Sequence, residues 1–186
     1  MPIHVMADHI ARERIGGFEP QRAFNWTLEI NGLPGHDKDV ISLSLQSAFV
    51  PTCANEEIEI PFGNERVWVA GKANWERGGI VCRDYVDRPV AAALYAWRRL
   101  VYNPVDGTIG YAVRYKRHGS IILYGPDGTL SRPWEVAGMW PVSVSFAENG
   151  LDMANNDQVR IGVALRFDKA YGRFAGDEPG SALVAQ

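Results

Sequence analysis

The chain has 186 residues, 46% of them hydrophobic and 22% charged, with a formal net charge of −3. That length and balance describe one ordinary globular domain and exclude an intrinsically disordered chain. A mildly acidic chain does not grip nucleic acid over a broad basic face, although it is free to let nucleic acid pass.

Nineteen glycines, eleven prolines and an aromatic content of 11% fit a turn-rich, strand-rich chain better than a helical bundle. Residues 1–21 have little periodicity and read as a polar arm, with no basic head followed by an apolar run. The alternation sharpens from Phe24: Phe24, Trp26, Leu28 and Ile30 interleave with Asn25, Thr27 and Glu29, the period of a half-buried strand. Asn31-Gly32 and Pro34-Gly35 supply turns. Ile41, Leu43 and Leu45 against Ser42, Ser44 and Gln46 predict a second strand. A hairpin follows, with Ile58, Ile60 and Phe62 alternating with Glu57 and Glu59, Gly63-Asn64 at the turn, and a return run from Glu65 to Val69. Residues 73–85 predict a further strand, weakened by Gly78-Gly79.

The spacing of Val90, Leu94, Trp97 and Val101 predicts the single helix, with Asp87 as its N-cap and Asn103-Pro104 as its stop. Residues 105–117 read as a loop. Strand character returns over 120–124, 130–136 and 142–146, and is cleanest where Val159, Ile161, Val163, Leu165 and Phe167 alternate with Arg160, Gly162, Ala164 and Arg166. The expected fold is mainly β: a sheet-rich sandwich or barrel of about seven strands over residues 22–171, flanked by one helix and followed by a mobile tail, 172–186.

Sites for chemistry are sparse. His4, His9, His36 and His118 are scattered and have no cysteine partner at metal-ligand spacing. No nucleophile elbow, phosphate-binding loop or dinucleotide fingerprint occurs. The six tryptophans read mainly as core, Trp68 and Trp75 least securely. The short basic run from Arg114 to His118 reads as a solvated loop or protein contact. Cys53 and Cys82 form no CxxC and read as reduced thiols, with a disulfide between subunits as the sharper alternative. Neither an enzyme nor a cofactor protein is expected.

In this order of elements the chain resembles the tail-tube proteins of phages with contractile tails. Residues 24–33 (FNWTLEINGL) are similar to that family's opening strand and Gly-Leu turn. Residues 89–97 (PVAAALYAW) lie where it has its helix. Residues 120–124, then 134–141 (WEVAGMWP), resemble its late strands and the corner between them, and residues 157–171 its closing strand. The likeness departs at Ala147–Asn156, a polar loop.

The resemblance implies a subunit that forms hexameric rings, stacked into a tube within a sheath, with DNA leaving through the lumen. The implied partners are further copies of the chain, sheath, tape-measure, baseplate and terminator proteins. The implied location is the virion tail, after assembly in the host bacterial cytoplasm. A ring protein of type VI secretion is the near alternative; a small β-barrel ligand-binding protein is the distant one. Within the tube reading, Glu57, Ile58, Glu59, Ile60, Phe62 and Trp68 are expected to touch the neighbouring ring, because a lone two-stranded ribbon is marginal in water. Ser42, Ser44, Gln46, Ser143 and Ser145 are expected to line a neutral or acidic lumen, with Arg160 and Arg166 directed elsewhere.

Overall fold

The computed structural model describes residues 21–34, 38–87, 89–154 and 156–172. Most of the expected arm at 1–21 and tail at 172–186, and also His4, His9 and His36, lie outside them. The first strand is β1, Trp26–Ile30. It is followed by a helix, α1, Lys38–Ser44, and the short β2, Leu45–Ser47. Two long strands come next, β3 (Cys53–Phe62) and β4 (Glu65–Trp75). The chain then runs through β5 (Gly78–Arg83), α2 (Val90–Val101), β6 (Tyr102–Asn103), β7 (Thr108–Ile109) and α3 (Ala112–Tyr115). It closes with β8 (Arg117–Tyr124), β9 (Leu130–Ser145), β10 (Arg160–Arg166) and β11 (Lys169–Gly172).

Seven of these strands form one sheet in the order β1-β8-β9-β10-β5-β2, with β11 also paired to β9. It curls into a half-barrel, so the fold is mainly β, as the alternation predicted. The curl comes from β9. Its first part pairs with β8 and β11, and its last part, from Trp140, pairs with β10. The two parts meet at Gly138, whose φ of +71° disfavours any residue with a Cβ. A Cβ there would also collide with the Asp168 carboxylate. That carboxylate accepts two hydrogen bonds from Lys116 Nζ, at 2.8 and 2.7 Å, and ties the start of β8 to the turn between β10 and β11.

The core lies between the curled sheet and α2. Leu28, Ile30, Ile80, Ile121, Val136, Ile161, Val163 and Leu165 point into it from the strands, and Val90, Leu94 and Trp97 from the helix. Trp97 is fully buried, and its indole Nε1–H donates to the Tyr115 carbonyl at 2.7 Å, so its polar edge is satisfied.

Four local expectations are corrected. Residues 38–44 are helix rather than strand. A two-residue step returns to the same face on a strand but turns about 200° on a helix, so Ile41 is buried while Leu43 is 72% exposed. With α1 and the single turn of α3, the described residues hold three helices rather than one. Asp87 does not cap α2; the Asp84 carboxylate accepts from the Ala91 N–H at 3.2 Å. The segment after α2 is not plain loop, since β6 and β7 form a small hairpin.

Candidate functional site

Two surfaces stand out, and neither is a catalytic cleft. Among the described residues no group of His, Cys, Asp and Glu could hold a metal ion. No helix among them is long and apolar enough to cross a membrane.

The first surface is the ribbon of β3 and β4, which pair only with each other. Every residue from Cys53 to Ala70 is exposed. The tight turn rests on Gly63, with φ +61°, followed by Asn64 with negative φ, the pattern of a II′ hairpin turn. The root is held by rings: Phe49 stacks on Phe167 with centroids 5.4 Å apart, and Trp75 tilts against Phe167 at 5.8 Å. Arg166 Nη2 donates to Asn74 Oδ1 at 2.9 Å. Thus, among the described residues, the tip is exposed and the base is clamped to the end of β10.

Register assigns the ribbon's two faces. Directly opposed residues share a face, so Ile58 with Val69, Ile60 with Val67, and Phe62 with Glu65 make one. Glu57 with Ala70, Glu59 with Trp68, and Pro61 with Arg66 make the other. The first is an apolar stripe of five side chains in the open. The second carries Glu57, Glu59 and the Arg66–Glu59 ion pair at 3.2 Å. Trp68 therefore lies on the acidic face, away from Ile58, Ile60 and Phe62.

The second surface is the open side of the sheet formed by β2, β5, β10 and the end of β9. It turns away from the core, and register brings Ser145, Gly162 and Val81 onto one line, with Ser143, Ala164 and Gly79 on the next. The side chains are small, and a trough of about 500 Å³ runs over them, with Ser47 and Glu148 on its wall. Arg160 lies directly opposite Arg83 at one end of this face, and Arg166 lies on the same face at the other end of β10.

The expected wall residues divide accordingly. Ser143 and Ser145 are exposed on this open face. Ser44 is buried and bonds the Ile41 carbonyl at 2.8 Å, so it faces no lumen. Ser42 sits on α1 and donates to the Leu28 carbonyl at 3.0 Å. Gln46 is half-buried; with its amide oxygen toward Arg83, it accepts from Arg83 Nε at 2.9 Å. Arg160 and Arg166 were expected on a separate face, yet they share the face of Ser143 and Ser145. Each strand's alternation is visible in sequence, but which alternate set of one strand adjoins which set of the next is fixed by cross-strand pairing.

Neither cysteine is bonded. Cys53 is exposed at the root of the ribbon. Cys82 is 0% exposed, and burial pushes its thiol up to about 11, offset in part by a hydrogen bond with Ser44. A protonated thiol without solvent access is inert, so Cys82 offers nothing to a partner subunit. In the basic run, Lys116 is committed to Asp168 and Arg117 Nη1 donates to the Lys116 carbonyl.

No protein-family model matches the sequence, and none of the curated proteins does. Solved structures do match. A chain of the PVC sheath-tube complex of an extracellular contractile injection system, in the extended state, superposes with a TM-score of 0.64 at 16% identity, over 84% of this chain and 93% of that one. A chain of the anti-feeding prophage baseplate gives 0.64 at 14% identity, over 85% and 98%. A chain of the same particle's tube-terminating cap gives 0.64 at 16% identity, over 94% and 99%. The polypeptide shares the fold of these chains from the tubes and baseplates of contractile injection systems.

Proposed function

We propose that this chain is a structural subunit of the tube in a contractile tail or injection device. Copies close into hexameric rings, the rings stack, a sheath surrounds them, and the open sheet face lines the lumen. A virion tail releasing DNA is one such device; the likeness to injection-system particles favours a delivery particle equally. Terminator and baseplate proteins would meet the tube at its two ends, and a tape-measure protein would set its length.

The observation that carries this reading is the ribbon β3–β4. A two-stranded ribbon with an exposed apolar stripe is marginal in water unless another surface covers it. The half-barrel supports it. Among the described residues β1 and β2 are edge strands, each with one paired side. Open edges invite pairing with another chain, and closing half-barrels of several copies into one barrel removes them. The contact is head-to-tail, with different patches meeting, which is the geometry that generates rings and stacks.

Electron microscopy of the purified protein at rising concentration, alone and with sheath and baseplate partners, tests the proposal. Rings and stacked tubes of uniform width are expected. A chain that remains monomeric under all these conditions would end it.

A further inference from the structure

The segment after α2 carries a second cluster of exposed apolar side chains. Tyr102 and Ile109 are directly opposed across β6 and β7, so they share a face. Val105 at the hairpin turn, Ile109, Tyr111 and Val113 are each at least 78% exposed. Like the long ribbon, β6 and β7 pair only with each other, and so short a hairpin is marginal in water by itself. Arg99 and Arg114 are exposed beside the cluster. Arg99 Nε donates to Asn103 Oδ1 at 3.3 Å, and Arg114 makes no ion pair among the described residues. Asp106, the one carboxylate between Arg98 and Lys116, accepts from Asn103 Nδ2 within the hairpin.

We propose that this cluster is the seat for the apolar stripe of the β3–β4 ribbon of a second copy. The assignment rests on the head-to-tail assembly proposed above and names the surface that receives the ribbon. Both surfaces are sets of large apolar side chains in the open, and their charges are opposite. Residues 56–66 hold four carboxylates and one guanidinium, whereas residues 98–114 hold three guanidiniums and one carboxylate. Glu65 stands on the stripe's own face, opposite Phe62, where a guanidinium at the edge of the cluster can pair with it. Glu57 and Glu59 lie on the other face, one sheet layer or about 10 Å away. That is within the reach of about 10 Å that 0.1 M salt leaves to a charge. Charge also sets aside two other exposed apolar spots. Leu43 and Tyr85 border a pocket with Asp87 on its wall, and Leu151 and Met153 flank Asp152. Either would set carboxylate against carboxylate, which disfavours a contact. The open sheet face carries arginines, but no large apolar side chain stands exposed on it. A donor and a receiver on one chain make a contact that repeats from copy to copy, so stacking covers both surfaces everywhere except at the ends.

The test uses the full chain with a photoreactive benzoylphenylalanine in place of Phe62, irradiated both dilute and at concentrations where it assembles. Tryptic mapping is expected to place the cross-link within residues 100–114 of another copy, a peptide bounded by cleavage after Arg99 and Arg114, and only in assembled material. Ile109→Ser with Val113→Ser should raise the concentration needed for assembly by about thirtyfold or more, with the melting of dilute protein unchanged. Glu65→Lys and Arg114→Glu should each raise it about fivefold, and the two together should bring it back near the parental value. Electron microscopy of the same samples reads tube formation separately. Tubes whose cross-links fall outside residues 100–114, or a double serine variant that assembles as the parent does, would overturn this seat and leave the tube reading intact. A charge swap that restores nothing would overturn it as well. Copies cross-linked at this peptide without tubes would keep the contact and remove the tube reading. A parent that stays monomeric at every concentration would end both.

Discussion

Replacing the ribbon's apolar stripe should separate folding from assembly. In the isolated chain Ile58 is 49% exposed, Ile60 46% and Phe62 76%. Fully burying one such side chain contributes roughly 1.5–3 kcal/mol. The area still open on the two isoleucines is therefore worth about 1 kcal/mol each on docking, and that on Phe62 about 2 kcal/mol. The triple variant Ile58→Thr, Ile60→Thr, Phe62→Thr should cost the contact about 4 kcal/mol, close to three decades in the concentration needed for assembly. Threonine is β-branched and suits a strand, so the monomer should lose little, within about 0.5 kcal/mol per site. Light scattering and sedimentation across a thousandfold concentration range read the assembly, and thermal melting of dilute protein reads the fold. Trp68→Thr, on the opposite face, reports which side docks: a small effect is expected beside that of the triple variant. Tubes forming at the parental concentration in the triple variant would refute the docking of this stripe.

Further outcomes follow from the core and the corner. Gly138→Ala should destabilise the chain by about 2 kcal/mol, from its left-handed φ and its collision with Asp168, seen as a fall in melting temperature. Trp97→Phe should cost about 2 kcal/mol in denaturant unfolding, because it leaves the Tyr115 carbonyl unpaired as well as a smaller ring in the core. Cys82 gives a pH signature. Its folded thiol titrates near 11 against an ordinary 9.0, so above pH 9 the unfolded chain releases a proton that the folded chain keeps. That contribution to stability is present below pH 9 and is lost as pH rises through 11, about 2–3 kcal/mol in all, and Cys82→Ala should flatten the slope over that window relative to the parent. Assembled particles should run as a single monomer band on gels with and without reductant; a ladder that collapses on reduction would show Cys53 bridging copies.

Much of this was legible in the chain itself. The period-2 runs at Trp26–Ile30, Ser120–Tyr124 and Arg160–Arg166 are strands because one face of each meets the core, and the 4-3-4 spacing of Val90, Leu94, Trp97 and Val101 is a helix for the same reason. The Gly63-Asn64 turn and its amphipathic arms marked the ribbon. Residues 38–44 misled because a short apolar alternation fits two periods equally until tertiary packing chooses which side chains are buried; here Ile41 and Ser44 are, and Leu43 is not. The open sheet face was legible only in part, as serines and arginines alternating along separate strands. Alternation along a strand is local, fixed by the backbone's two-residue repeat. Which faces of different strands coincide depends on pairing between residues far apart in sequence, such as Arg83 with Arg160 and Gly162 with Ser145, and only the folded sheet sets that register.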